Sequence, residues 1–281
     1  MQKPYKTVSV CGCGWLGLPL AESLVQSGYQ VFGTKRVQAD ADALNTKGIQ
    51  GVCFDVYAPT ASSNTDVLFS ADVLVVNIPP GRRNFERERF VNAMKSLVDT
   101  AKLQGVKQLI VVSTTSVYGE VTGKVTEETV CVPNTESGKA HLDIEEHVLK
   151  TFPETGVVLR FSGLIGAERH PAKHLAGREG ITNGNDPVNL IHRDDCIQAI
   201  SLIINQQIGG GEVLHLSANA HPTRAEFYSW AAGGMGLPLP TFELTGGEGK
   251  CIVAKGTLDK LKMTLKYPSP FDMPLPVVNV E

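Results

Sequence analysis

Near the start of the chain, Val8-Ser9-Val10-Cys11 runs into Gly12-Cys13-Gly14-Trp15-Leu16-Gly17. Apolar residues at helical spacing follow, in Leu18-Pro19-Leu20-Ala21. Three glycines so spaced, between a β-branched run and a helix, suit the turn on which a dinucleotide rests. Gly12 would make the tight turn, Gly14 would let the backbone approach a pyrophosphate, and Gly17 would let helix pack on strand. The helix start then offers N–H groups and a positive dipole end to the phosphates. A second signal follows the next apolar run, which ends in Gly33-Thr34-Lys35-Arg36. Folds that select NAD usually place an acidic residue there for the ribose hydroxyls. Two cations and a hydroxyl instead suit a 2′-phosphate, so NADP is the expected cofactor and NAD the alternative. A solvated basic turn is the other reading of the same residues. Asp55, at the end of the third apolar run, is a candidate acceptor for the adenine amino group, or a plain turn aspartate. Arg82-Arg83 could hold an anion, or pair on the surface with Glu86 and Glu88.

The elements that must position these residues alternate short apolar runs with helical patterns, the signature of a parallel sheet covered on both faces. Strands are expected at Thr7–Cys11, Gln30–Gly33, Gly51–Phe54, Val73–Ile78 (stopped by Pro79-Pro80), Gln108–Val112 and Val157–Phe161. Helices are expected from Leu16 to about Ser27 (closed by Gly28), from about Asn84 to Gln104, and from about Glu136 to Lys150. The second of these turns Phe90, Ala93, Met94, Leu97 and Ala101 to one face. Beyond Gly163 the rhythm loosens, and residues 166–187 read as loop. A helix at Asp195–Gln206, a strand at Val213–Leu216, a helix at Thr223–Gly233 and a Pro-rich tail complete the chain. Phe227 and Trp230 read as core.

With 281 residues, 42% apolar content and 20% charge, one large or two modest globular domains are expected. A net charge of −3 gives no reason to expect nucleic acid or an anionic membrane as partner. No apolar run approaches the roughly 18–20 residues of a membrane span. Lys3 and Lys6 are not followed by an apolar stretch with a cleavage site, so export is not expected. Cys11, Cys13, Cys53, Cys131, Cys196 and Cys251 are scattered, as reduced thiols of a cytoplasmic protein would be. No second pair at ligand spacing joins Cys11-x-Cys13, so no metal is expected.

Further along, Leu109-Ile110-Val111-Val112-Ser113-Thr114-Thr115-Ser116-Val117-Tyr118-Gly119 resembles the strand-five motif of the extended short-chain dehydrogenases/reductases, the NAD-dependent epimerase/dehydratase family. Leu159-Arg160-Phe161-Ser162-Gly163-Leu164-Ile165-Gly166 resembles that family's strand-six motif. Asn189-Leu190-Ile191-His192-Arg193-Asp194-Asp195 resembles its His-Val-Asp-Asp segment. Gly14-Trp15-Leu16-Gly17, Arg82-Arg83 and the closing Tyr267-Pro268-Ser269-Pro270 are similar to an atypical, YeeZ-like branch.

The resemblance implies a doubly wound Rossmann-like α/β domain over residues 1–165 and a smaller C-terminal α/β substrate region over 166–281. The helix at 195–206 would pack back on the first domain. Gly12, Gly14, Trp15, Leu16, Gly17, Thr34, Lys35, Arg36, Asp55 and Pro79 are the expected cofactor contacts, and the family precedent points to a homodimer. Catalysis in such enzymes rests on Ser/Thr, Tyr and Lys. Thr114 matches the Ser/Thr position, but the Tyr-x-x-x-Lys pair is missing. Counting from Pro133 puts Ser137 and His141 at its two positions; a two-residue slip would give Thr135 and Lys139. Ser137 and His141, four apart on a helix, could share a face and supply a hydroxyl and a titratable ring. His141 could equally be an exposed side chain on a helix that no longer moves protons. Tyr118 supplies a phenol nearby. An Asn of the nucleotide-sugar enzymes is matched here by Gly163, so the resemblance does not carry their substrate. His192, Asp194 and Asp195 are expected to orient a loop and cap a helix. Arg169, His170, Lys173, His174 and Arg178 could line a pocket mouth. Two functions are in play: an NAD(P)-dependent oxidoreductase or epimerase-like enzyme acting on a small carbinol or carbonyl, and a redox sensor that binds NADP without turnover.

Overall fold

The computed structural model describes residues 5–58, 65–81, 85–166 and 169–276. Arg82-Arg83 lie outside the described residues. In chain order the elements are β1 (Thr7–Cys11), α1 (Gly17–Gln26), β2 (Gln30–Lys35), α2 (Gln38–Leu44), β3 (Ile49–Cys53), α3 (Asp66–Phe69), β4 (Val73–Val76), α4 (Arg87–Leu103) and β5 (Gln108–Thr114). There follow β6 (Gly123–Val125), α5 (Glu136–Thr151), β7 (Gly156–Phe161), β8 (Gly163–Ile165), β9 (Leu190–His192), α6 (Arg193–Gln206), β10 (Glu212–Leu216), α7 (Arg224–Gly234), β11 (Lys250–Ile252) and α8 (Lys255–Leu261).

Seven strands form one sheet in the order β10-β7-β5-β4-β1-β2-β3. β1 pairs in parallel with β2 on one side and β4 on the other, and β2–β3 and β4–β5 are parallel as well. The strand order therefore reverses between β1 and β4, where open α/β sheets bind their ligands. This is the doubly wound, Rossmann-like sheet that the alternation of elements implies.

The sequence folds this way because its central strands are apolar on both faces. All four residues of β4 are buried, as a strand covered by helices on both sides requires. α1 turns Gly17, Leu20, Ala21 and Leu24 inward. It closes at Gly28, whose φ of +80° turns the chain so that the Tyr29 N–H reaches back to the Leu24 carbonyl at 3.1 Å. α4 buries Phe90, Val91, Met94, Leu97, Val98 and Ala101 and packs against α5. Both join Leu74, Val76, Leu109 and Val111 in one core.

The chain divides into two compact units. The first comprises residues 1–117, 133–160 and 197–214; the second comprises 118–132, 161–196 and 215–281. The units interleave along the chain instead of meeting at one boundary. Residues 118–132 belong to the second because they carry β6, which pairs in parallel with β11. That unit has its own core, including Ile165, Leu190, Phe227, Ala231, Met235 and Met273.

Element ends depart from expectation where pairing decides them. β2 runs on to Lys35 because Thr34 and Lys35 pair with Val52 and Cys53. β4 stops at Val76, two residues early, and Asn77 leaves the strand to serve the glycine loop. The segment expected to be loop is tied down by backbone bonds, from Gly177 N–H to the Pro238 carbonyl (2.9 Å), Ile181 to Thr241 (3.0 Å) and Gly184 to Glu243 (2.9 Å).

Candidate functional site

The glycine loop lies between β1 and α1, at the reversal of strand order. Gly12 has a φ of +102°, and a Cβ there would lie 2.4 Å from the Asn77 carbonyl oxygen. A Cβ on Gly17 would lie 2.1 Å from the Gly12 carbonyl oxygen, so the first turn of α1 rests directly on the loop. Gly14 differs. It is exposed, and a Cβ there would meet nothing within 4 Å. Two glycines thus close the turn, and the third leaves open space beside the helix start. Leu16 gives α1 no side-chain cap, and its first turn holds no acidic residue. Its positive end is not neutralised by its own side chains, which suits an anion. Trp15 is half-buried and Leu16 buried. The open cradle at Gly14 and the uncapped helix fit a dinucleotide pyrophosphate.

The residues expected to choose the cofactor separate into two groups. Thr34 is buried, and its hydroxyl accepts the Gly12 N–H at 2.8 Å and lies 3.8 Å from the Cys11 sulfur. The Thr34 hydroxyl is thus turned toward the glycine loop. Lys35 is half-buried at the end of β2, and Arg36 is exposed. Asp55 is half-buried, and one carboxylate oxygen accepts the Tyr57 N–H at 3.0 Å, as a turn aspartate does. The Arg89 guanidinium sits 4.9 Å above the Tyr57 ring. Pro79 is exposed, beyond the end of β4.

The candidate catalytic residues lie on two elements, Thr114 at the end of β5 and Ser137 and His141 on α5. Thr114 is half-buried, and its hydroxyl accepts the Ser116 N–H at 3.2 Å. The first turn of α5 lies against the turn that follows, since a Cβ on Gly138 would be 3.1 Å from the Ser116 carbonyl oxygen. Thr135 is the N-cap of α5, its hydroxyl accepting the Gly138 N–H at 3.1 Å. Lys139 pairs with Glu136 at 2.7 Å. The slipped register, Thr135 with Lys139, therefore has both side chains engaged elsewhere. Ser137 and His141 are both half-buried and share a helix face. The His141 ring meets Phe90 edge-on at 6.3 Å, and burial pulls its pKa down to about 4. It is neutral at pH 7, so it can take a proton but supplies no standing charge.

Tyr118, the nearby phenol, is engaged inside the fold. It is fully buried, and its hydroxyl lies 2.9 Å from His215 Nδ1, while His215 Nε2 lies 2.9 Å from the Val253 carbonyl. A carbonyl can only accept, so Nε2 carries the proton and Tyr118 donates to Nδ1. Cys11 and Cys13 are buried, and burial pushes their thiols up to about 12 and about 11, the wrong direction for metal-binding thiolates. Asp195 lies in the first turn of α6, and its carboxylate accepts the N–H groups of Lys266 (2.7 Å) and Tyr267 (3.3 Å). His192 accepts the Asp194 N–H at 3.1 Å. His170 is buried and stacked on Phe227, whereas Lys173, His174 and Arg178 are exposed. Phe227 is core, but Trp230 is 39% exposed and packs edge-on against Phe271, which corrects its reading as core.

Sequence reasoning missed a buried network behind these residues. Arg160 on β7 donates to Glu145 on α5 through Nη2 at 2.6 Å and Nε at 3.1 Å, and Ser113 on β5 donates to the same carboxylate. The only signal was a charged pair inside otherwise apolar periodicity.

A family model for the NAD dependent epimerase/dehydratase family matches residues 8–216. The chain belongs to the NAD-dependent epimerase/dehydratase family. It is 38% identical over 275 residues to protein YeeZ of Escherichia coli strain K12, covering 96% of this chain and 99% of that one. Over 140 residues, 45% of this chain and 44% of the relative, it is 26% identical to an uncharacterized UDP-glucose epimerase, YtcB, of Bacillus subtilis. Among solved structures, MoeE5 in complex with UDP-glucose and NAD aligns with a TM-score of 0.77 at 19% identity, over 95% of each chain. UDP-glucuronic acid 4-epimerase from Bacillus cereus, in complex with NAD, aligns with a TM-score of 0.77 at 19% identity, over 95% of this chain and 93% of that one. Those likenesses agree with the family fold. Among the described residues, no helix is long and apolar enough to cross a membrane.

Proposed function

We propose that this family member is an NAD(P)-dependent oxidoreductase or epimerase-like enzyme acting on a small carbinol or carbonyl. The observation that carries the reading is the open cradle at Gly14 beside the uncapped start of α1. Gly12, Gly14, Trp15, Leu16 and Gly17 would hold the pyrophosphate, with Asp55 and Pro79 toward the adenosine. Lys35 and Arg36 stand where an acid would favour NAD, which supports NADP. The nicotinamide, when bound, supplies the hydride chemistry. Thr114 orients the substrate oxygen through its hydroxyl. The proton passes to or from that oxygen through Ser137 or the neutral ring of His141.

The related structures include proteins bound to UDP-sugars, but one feature argues against that substrate here. Gly163, which matches an Asn of nucleotide-sugar enzymes, lies in β8 against β9. A Cβ on it would fall 2.8 Å from Leu190 and 3.1 Å from the Asn189 carbonyl. A side chain there would need the tip of Leu190 to give way.

Fluorescence titration with NADPH and NADH, followed by a hydride-transfer screen against a carbonyl panel, tests the reading. Arg36→Ala is expected to weaken NADPH by about ten-fold, a charge-assisted contact, and to leave NADH nearly unchanged. Equal loss for both would refute the 2′-phosphate assignment. The sensor reading is favoured by the absence of a Tyr-Lys pair and by the uncharged state of His141. It predicts tight binding with no turnover, unchanged in Thr114→Ala and His141→Ala.

A further inference from the structure

Gly12 is fixed by two neighbouring strands. Its own N–H is accepted by the Thr34 hydroxyl at 2.8 Å. Its carbonyl accepts from the Asn77 side-chain amide at 3.3 Å and from the Gly14 N–H at 2.8 Å. The Cys13 N–H, on the same peptide as that carbonyl, donates to the Thr34 carbonyl at 3.0 Å. The peptide planes on both sides of the Gly12 Cα are thus held, one by a Thr34 side chain and the other by an Asn77 side chain. Thr34 lies in β2 and Asn77 directly follows β4, the strands flanking β1 on either side. Asn77 is itself anchored, its N–H donating to the Cys11 carbonyl at 2.8 Å.

A glycine at φ +102° has many other conformations open to it, because no Cβ restricts it. Left to itself, this turn would sample them, and the first turn of α1 would move with it, since Gly17 rests on the Gly12 carbonyl. We infer that Thr34 and Asn77 are positioning residues that pin the Gly12 turn from both sides, so that the loop is ordered for a pyrophosphate-bearing ligand before one arrives. The inference rests on the dinucleotide reading of the loop, and it gives Thr34 a role in ordering the site distinct from contact with the ligand. Preorganisation of this kind raises affinity by removing an ordering cost from the binding step.

The test uses the full chain and the variants Thr34→Val, Thr34→Ser and Asn77→Asp. Valine keeps the shape and removes the acceptor; aspartate keeps the shape and turns an oxygen toward the Gly12 carbonyl. Amide hydrogen exchange of the ligand-free protein, read by NMR, reports on the hold directly. Gly12 is expected to exchange at least ten-fold faster in Thr34→Val, with Val75 and Ile110 in the central strands unchanged, and Thr34→Ser is expected to restore protection. Affinity is measured with NADPH, ADP-ribose and adenosine. A rise in Kd of about three- to ten-fold is expected for the first two in Thr34→Val and Asn77→Asp, from the loss of one hydrogen bond, with adenosine unaffected. Unchanged Gly12 exchange in Thr34→Val overturns the inference, as does a serine variant no better than valine. Equal loss for adenosine also overturns it, because the damage would then be general. If the unaltered protein binds neither NADPH nor ADP-ribose, the dinucleotide reading fails and the inference falls with it. The Gly12 exchange rates then show whether that failure came with or without the predicted hold.

Discussion

Replacing Arg160 by Met tests how the three elements behind the candidate catalytic residues are held together. Arg160 and Glu145 are 5% and 2% exposed, and their contact has Nη2 at 2.6 Å and Nε at 3.1 Å from the carboxylate. In Arg160→Met the side-chain volume is roughly kept, but the Glu145 carboxylate remains in an apolar interior, with the Ser113 hydroxyl as its described partner. Breaking a buried pair from one side costs about 3–5 kcal/mol, because the stranded charge stays desolvated. Against a stability of about 5–15 kcal/mol, that is a large fraction. Glu145→Leu takes the carboxylate away from the Arg160 guanidinium and should also destabilise the fold. The double variant Arg160→Met/Glu145→Leu removes both charges and is expected to cost far less than the two singles combined, about 0–2 kcal/mol. Urea unfolding followed by circular dichroism, with midpoints and slopes for all four proteins, gives the cycle. A single-variant cost under about 1 kcal/mol, or a double variant equal to the sum, would show that the pair is not a desolvated unit.

Other outcomes follow from the loop and the titrating groups. Gly14→Ala should leave the urea midpoint within about 0.5 kcal/mol, since its Cβ meets open space, yet weaken NADPH; Gly17→Ala should lose about 1–3 kcal/mol of stability as well, with its Cβ 2.1 Å from a backbone oxygen. Equal effects of the two on stability would refute the cradle geometry. Burial lowers His141 and His170 to about 4, so the unfolded chain takes up their protons first on acidification. The contribution of these two histidines to stability is therefore constant above about pH 6.5 and falls toward pH 4, and His141→Gln should flatten part of that slope in urea midpoints. Among the thiols, half-buried Cys53 and Cys131 should react with an aromatic disulfide at pH 8, while Cys11 and Cys13 should react only after unfolding.

The fold was legible where one element carries its own signal. Val73-Leu74-Val75-Val76 reads as a central strand because nothing polar interrupts it, and Gly12, Gly14 and Gly17 announce a turn by spacing alone. Phe90, Met94, Leu97 and Ala101 likewise mark the buried face of α4. What stayed hidden depends on contacts between distant residues. Thr34 lies 22 positions from Gly12, in a strand whose residues 31–34 are all buried. Alternation there cannot say that its hydroxyl turns toward the loop. The same holds for Glu145, a charged residue on a helix whose natural reading is solvent, until Arg160 is seen beside it. Short elements were missed for another reason: α2 and α8 have seven residues each, too few for helical periodicity to emerge. Trp230 was misread because an apolar residue on an amphipathic pattern does not reveal whether the face beyond it is covered.

The first turn of α5 shows how far a shared fold constrains chemistry. The helix keeps its threonine cap and its close approach at Gly138, so positions 137 and 141 are presented one turn apart beside the end of β5. A lysine at position 141 would have to carry its charge against the Phe90 ring, where burial already holds an imidazole neutral. The same desolvation that would penalise lysine makes histidine stable there in its uncharged form. On the proposed reading, proton transfer at this position starts from a neutral base, and no fixed charge lowers the Ser137 hydroxyl. Activity should then be lost on acidification through protonation of His141 and insensitive to alkali up to the range of the substrate itself. A tyrosine–lysine pair would instead lose its acid as pH rises.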